Sequence, residues 1–365
     1  MKRGSTDYCL VVGVNKPKGI SSHDVVNRVR RIFGERRVGH TGTLDPLASG
    51  VLPVCVGPAT RLDPFLTGHD KTYRVRIAFG ISTTTDDAEG EVLHTGEVFK
   101  ELESKSFAEL VVASQVGVRK QLPPAYSAVK VNGQKAYEAA RKGTIIDLTP
   151  REIEVFEARL IEVGRGYSLS SGSQSPLGSE DGDFSAAFRD EQPRASFDLP
   201  WWDVEFRVSK GTYIRSLARD IGVMLGCPAH VSELMRTASG SLSLEECVTL
   251  EALGEEREKA ALDPVKLLGF RFAFADEALA ARIRNGAVLR QGDLSLFVRR
   301  KTVAAMEMCA CTAGVCESPA PPVQGEVVSV IVGNKLAALY AFDEKSMTWR
   351  AACVFQKGVS RGSLV

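Results

Sequence analysis

Apolar and polar positions along the chain follow two periods. Residues 8–14 form a nearly unbroken apolar run closed by Asn15-Lys16-Pro17, which predicts a short buried strand. Ser22 then offers an N-cap. Val25, Val26, Val29, Ile32 and Phe33 recur at helical spacing up to Gly34, which predicts one amphipathic helix. The opposite face carries Arg28 and Arg31, with Arg36 and Arg37 just beyond. Further on the period drops to two. Tyr73, Val75, Ile77 and Phe79 alternate with Thr72, Arg74, Arg76 and Ala78, which predicts a strand with one apolar and one partly basic face. Residues 153–163 and 204–208 predict further strands. Residues 213–225 predict a helix with Leu217, Ile221 and Leu225 on one stripe.

The intervals are also informative. Residues 38–60 are polar and rich in glycine, and predict a long loop with little regular structure, a type that often carries function. Between about residues 166 and 199 the chain turns to Ser, Gly and Asp with few large apolar residues, as in a weakly ordered insertion between strands of one sheet. Beyond residue 263 the pattern changes again. Residues 274–285 predict a helix. The runs 327–332 and 336–342, joined by Gly333-Asn334-Lys335, predict a hairpin with a three-residue turn, and residues 349–355 a last strand. The pattern alone supports a mixed α and β domain up to about residue 265, followed by a small, mostly β module over 266–365. No internal repeat is evident.

A chain of 365 residues suits about two domains. Lys plus Arg numbers 46 against 45 for Asp plus Glu, so the protein is no polycation and any nucleic-acid site must be a local patch. Two segments are locally basic. Residues 16–37 carry seven Lys or Arg against two carboxylates, and residues 119–142 carry six against one. The remainder is acidic, and such segregation suits a phosphate-binding face. The eight cysteines sit mostly alone among apolar residues, as buried reduced thiols do. Cys309, Cys311 and Cys316 have no fourth ligand nearby, which disfavours a zinc site. The first apolar run is too short for a signal peptide, and no stretch reaches the length of a membrane span. A cytoplasmic protein is expected.

The chemistry concentrates in Gly39-His40-Thr41-Gly42-Thr43-Leu44-Asp45-Pro46-Leu47-Ala48-Ser49-Gly50. Pro46 fixes its own φ and keeps Asp45 out of the helical region, while the glycines let backbone approach a ligand. A rigidly presented carboxylate suits a nucleophile or a base. Taken alone, Asp-Pro in such a loop is usually a turn. The wider context points elsewhere, because the segment resembles the catalytic loop of the TruB family of tRNA pseudouridine synthases. Further blocks resemble that family in order: Lys16-Pro17-Lys18-Gly19-Ile20-Ser21-Ser22; Lys71-Thr72-Tyr73-Arg74-Val75 with Asp86-Asp87-Ala88-Glu89-Gly90; Pro123-Pro124-Ala125-Tyr126-Ser127-Ala128-Val129-Lys130 with Lys135-Ala136-Tyr137; Ser209-Lys210-Gly211-Thr212-Tyr213-Ile214-Arg215-Ser216-Leu217; and Gly226-Cys227-Pro228-Ala229-His230-Val231 with Leu234-Met235-Arg236-Thr237.

The resemblance implies the pseudouridine synthase fold, an α+β domain over residues 1–265 with a mixed, mainly antiparallel sheet, and an isomerase that converts uridine 55 in the T-loop of tRNA to pseudouridine. The N1–C1′ bond breaks, the uracil turns, and C5 joins C1′. No atom is lost and no redox change occurs, so no cofactor and no metal are expected. Asp45 matches the essential carboxylate, Tyr73 the tyrosine that stacks on the flipped uracil, and Arg215 the arginine that pairs with that carboxylate. Asp87 matches an acidic partner of the arginine, His40 a residue supporting extrusion of the nucleotide, and Leu234 an apolar wall of the uracil pocket. Tyr213, Lys16, Lys18 and Lys130 fall in matching blocks as further substrate-binding candidates. Extracting a stacked base costs a few kcal/mol, and an aromatic platform recovers about 1–3 kcal/mol. The C-terminal module resembles a PUA-type appendage that would grip the acceptor end. The expected partner is tRNA, with no membrane and no obligate protein partner. A guide-RNA-dependent synthase and a tRNA-folding chaperone are the rival readings.

Overall fold

A computed structural model describes residues 6–127, 130–131, 134–135, 148–168, 196–299, 315–318 and 320–362. In chain order its main elements are β1 Leu10–Lys16, α1 Ser22–Phe33, β2 Val38–His40, β3 Ser49–Val56, α2 Asp63–Leu66, β4 Lys71–Phe79, β5 Ile81–Thr83, β6 Val92–Thr95, α3 Lys105–Ala113 and β7 Gly117–Gln121. Next come β8 Lys130–Val131, β9 Gln134–Lys135, β10 Arg151–Ser168, β11 Ser196–Val208, α4 Ile214–Leu225, β12 Ala229–Ser239, β13 Leu242–Ser243, α5 Leu250–Glu256, β14 Ala261–Leu262 and α6 Pro264–Leu268. The chain closes with β15 Phe272–Phe274, α7 Glu277–Arg284, β16 Leu289–Arg290, β17 Phe297–Arg299, β18 Val315–Glu317, β19 Val327–Val332, β20 Lys335–Asp343 and β21 Thr348–Ser360. These form two compact units, one of residues 1–45, 50–69 and 238–365, the other of 46–49 and 70–237.

In the first unit β1 lies between β14 and β3, antiparallel to both, and β2 adds to the far side of β3. With residues 41–48 still a loop, the expected loop at 38–60 is therefore about half strand. Its second half, Val51–Val56, is a continuous apolar run buried on both faces, and pairing with β1 and β2 outweighs its glycine content. Pro53 sits inside this strand and cannot donate, but its carbonyl accepts from the Thr41 N–H at 3.0 Å. Helix α1 starts one residue earlier than expected. Ser21, not Ser22, is the N-cap in a capping box with Asp24, and Gly34 closes the helix at φ 65°.

A seven-stranded sheet in the order β16-β21-β20-β19-β15-β17-β18 forms the C-terminal module. The hairpin at 332–335 turns in two residues rather than three. Val332 pairs with Lys335, and Gly333, at φ 56°, takes the first turn position. Cys9, Val11, Val51, Cys55, Phe272, Leu339 and Phe355 share one buried apolar cluster, so the module packs into the same core as β1 and β3.

The second unit is a sheet in the order β12-β4-β11-β10-β7. Strands β10 and β11 are much longer than the sequence pattern predicts and pair antiparallel from Val155–Val208 out to Ser168–Ser196. They flank the Ser/Gly-rich segment as the arms of one hairpin, as expected; the segment itself, 169–195, lies outside the described residues. The core centres on Trp202, which donates its indole N–H to the Leu102 carbonyl at 2.7 Å and packs on Phe79 at 4.5 Å between ring centroids.

Gly57 follows β3 at φ 66°, and a Cβ there would fall 2.0 Å from the Tyr8 carbonyl oxygen. Gly57→Ala is expected to cost more than about 1 kcal/mol through strain and clash together. Urea unfolding checks this: the midpoint falls with an unchanged slope.

Candidate active site

Asp45 belongs to the first unit, and residues 46–49, which follow it, belong to the second. Ser22, freed from capping, turns its hydroxyl across the chain. It donates to the Leu44 carbonyl at 2.9 Å and accepts from the Leu44 N–H at 2.8 Å. Both backbone groups of the residue before Asp45 are thus held by one buried side chain. Leu44, Leu47 and Ala48 are buried around the half-buried Asp45, so apolar anchors fix the loop on both sides of the carboxylate. His40 ends β2, half-buried and opposite Val54.

Lys16 is fully buried, and its ammonium donates to the Pro17 and Ile20 carbonyls at 2.9 and 2.7 Å. It therefore closes its own turn. The Lys16 ammonium thus serves the backbone of the turn from inside. Lys18 is exposed on that turn.

The other matched residues lie in the second unit. Arg215, in the first turn of α4, is buried and reaches two separate segments, the turn at 83–90 and the stretch at Tyr126. It pairs with Asp87 at 3.4 Å and donates to the Thr85 carbonyl at 2.8 Å and the Tyr126 carbonyl at 2.9 Å. Asp87 is equally buried and accepts from the Glu89 N–H at 3.0 Å and from the Thr85 hydroxyl. Breaking such a pair by deleting one partner typically costs 3–5 kcal/mol, on the order of a small domain's whole stability. Tyr213, just before α4, is clamped through its backbone by the buried Gln121 amide, which accepts from its N–H at 2.8 Å and donates to its carbonyl at 3.0 Å. Tyr73 and Leu234 are buried on the neighbouring strands β4 and β12. The Lys130 side chain and residues 128–129 and 136–137 lie outside the described residues, as do Cys309 and Cys311. Among the described residues no cluster of His, Cys, Asp or Glu could hold a metal, and no helix is long and apolar enough to cross a membrane.

Sequence reasoning missed three supports: Ser22, Gln121 and a second ion pair. Arg219, one turn after Arg215, meets Asp86 at 2.9 Å. Asp86 has φ 60°, rare for a residue with a Cβ, and its burial pushes the carboxyl up against the pull of Arg219. The signal was present, since arginines four apart share a helix face and can meet two consecutive aspartates. The period-2 pattern likewise puts Lys71 on the apolar face with Tyr73, where it is buried. Burial, aided by the nearby Arg236 guanidinium, lowers the Lys71 ammonium to about 8.

Two family models match this chain. "TruB family pseudouridylate synthase (N terminal domain)" covers residues 30–171 and "tRNA pseudouridylate synthase B C-terminal domain" covers 215–268. The tRNA pseudouridine synthase B of Geobacillus thermodenitrificans (strain NG80-2) is 40% identical over 289 residues, 77% of this chain and 85% of that one. Its namesake in Geobacillus kaustophilus (strain HTA426) is 39% identical over 300 residues, 80% and 93% of the two chains. Among solved structures, a chain of an H/ACA RNP bound to a substrate RNA containing 2′-deoxyuridine superposes with TM-score 0.57 at 21% identity, covering 96% of this chain and 85% of its own. A chain of a Cbf5-Nop10-Gar1 complex does so at 0.57 and 23%, covering 96% and 84%. These likenesses show a shared fold, the α+β architecture with mainly antiparallel sheets that the sequence led us to expect.

The lowered Lys71 sets a pH dependence. An unfolded lysine titrates near ~10.4, so between pH 8 and that value the unfolded chain holds a proton the native chain has lost, and stability rises with pH. Lys71→Met is expected to remove about 2–3 kcal/mol of that rise. Chemical denaturation at pH 7.5 to 10.5 measures it; an equal rise in both proteins refutes it.

Proposed function

The chain belongs to the TruB family of pseudouridylate synthases, and on that premise we propose that it isomerises uridine 55 in the T-loop of tRNA to pseudouridine. The observation carrying the reading is the 40% identity to tRNA pseudouridine synthase B over most of both chains, with a loop carboxylate held rigidly where the family pattern requires one. In this reading Asp45 is the catalytic residue. Tyr73 supplies the platform for the extruded uracil, Leu234 lines its pocket, and His40 supports extrusion. Arg215 serves the carboxylate while Asp87 holds the guanidinium in place; the ion pair and two carbonyl bonds leave Arg215 little freedom to move. Tyr213, Lys18 and Lys130 add substrate contacts.

One carboxylate is enough for this chemistry because water does not attack. Hydrolytic glycosidases normally use two. The bond made replaces the bond broken, and the only atom exchanged with solvent is the C5 hydrogen. The domain reading places catalysis in residues 1–265 and an acceptor-end grip in the module 266–365. The protein works in the cytoplasm without an obligate protein partner.

Tritium release from C5-labelled uridine in an unmodified tRNA transcript tests the reading with the purified chain alone. About one equivalent is expected, lost when uridine 55 is replaced. Asp45→Asn is expected to abolish release while tRNA affinity stays within a few-fold. Turnover near wild type in that variant would sink the assignment of Asp45.

A further inference from the structure

Many arginines in the two units are paired with carboxylates. Arg76 meets Asp203 at 2.8 Å, Arg271 meets Glu326 at 2.5 Å and Arg361 meets Asp263 at 3.0 Å. One stretch is different. Among the described residues, none of Arg28, Arg30, Arg31, Arg36 and Arg37 has a carboxylate within ion-pair distance. Five like charges within ten residues repel one another, and none is neutralised by a direct ion pair with a described residue.

Three of these arginines line a cavity. It has a volume of about 560 Å³ and is lined by Asn27, Arg30, Arg31, Gly34, Glu35 and Arg36 at the C-terminal end of α1. Its one carboxylate is already engaged: buried Glu35 accepts from the Thr6 N–H at 3.0 Å, the Thr6 hydroxyl at 2.5 Å and the Arg37 N–H at 2.9 Å. Arg30 is held in place by Asn27 Oδ1 at 3.0 Å and the Arg36 carbonyl at 3.1 Å. Arg31 and Arg36 are exposed and make no side-chain hydrogen bond to a described residue. The helix dipole accounts for cations in the last turn of α1, but its influence fades within that turn, and Arg36 lies beyond Gly34.

We propose that this cradle binds the phosphodiester backbone of tRNA. The planar guanidinium fork matches a phosphate's oxygens in a bidentate way, and Arg30 is held in place in the same lining as the exposed Arg31 and Arg36. The contact adds affinity without reading sequence. It rests on tRNA being the substrate, and it gives this protein an anchor on the RNA that does not touch the reacting uridine.

Filter binding of an unmodified tRNA transcript across 50–300 mM KCl tests it, comparing the full chain with Arg31→Ala/Arg36→Ala. Each phosphate contact contributes about 0.7–0.9 to the slope of log K against log salt, so the double variant is expected to lose about 1.4–1.8 of slope and to bind several-fold more weakly at 100 mM. Its melting temperature and its single-turnover tritium release at saturating enzyme should match wild type. An unchanged slope in a folded variant overturns the proposal. So does a variant that keeps tRNA binding but loses thermal protection by inorganic phosphate, which would mark the cradle as a small-anion site. A wild type that neither binds nor modifies tRNA would instead refute the function on which the proposal rests.

Discussion

The buried guanidinium of Arg215 constrains everything packed around it in the second unit. A charge taken out of water must be met by a counter-charge and by hydrogen-bond acceptors, or the site will not fold. Asp87 provides the charge, and the carbonyls of Thr85 and Tyr126 provide acceptors. Three stretches distant in sequence therefore meet at the start of α4. The turn at 83–90 is shaped to suit, with Asp86 in a left-handed conformation and answered by Arg219 one turn along the same helix. Two adjacent aspartates facing two arginines spaced by a turn fix both the rotation and the height of the helix.

The first unit solves a different problem, holding one carboxylate still without burying it. A serine that sequence rules assign to a helix cap is spent on the Leu44 backbone instead, and its neighbour Ser21 takes over the cap. The ammonium of Lys16 closes the preceding turn from inside. Polar residues of the matched motifs thus also serve the backbone around the carboxylate. Rigid presentation matters for isomerisation, because a small displacement of a reacting group is costly in rate.

Charge follows the same economy. Along β4, β10 and β11 the arginines are answered by carboxylates, as in Arg159–Glu205 at 2.9 Å and Arg76–Asp203, and stiffen a long hairpin. Around the end of α1 they are left unanswered. A protein with near-zero net charge can therefore still present concentrated positive potential to an RNA.

The sequence by itself determined the family, the α and β content, the apolar face of β4, the helices α1 and α4 and the hairpin flanking the Ser/Gly-rich segment. These follow from local periodicity and from motifs several residues long, which survive without knowledge of contacts. Only the tertiary structure decided that residues 49–56 are a strand, since a proline- and glycine-containing run becomes one through partners on both sides. It also decided that Lys16 points inward, that Ser22 clamps Leu44, and that Gln121 clamps Tyr213 across 92 residues. Such assignments depend on which distant backbone groups would otherwise be left unsatisfied, and that accounting closes only when the whole chain is folded.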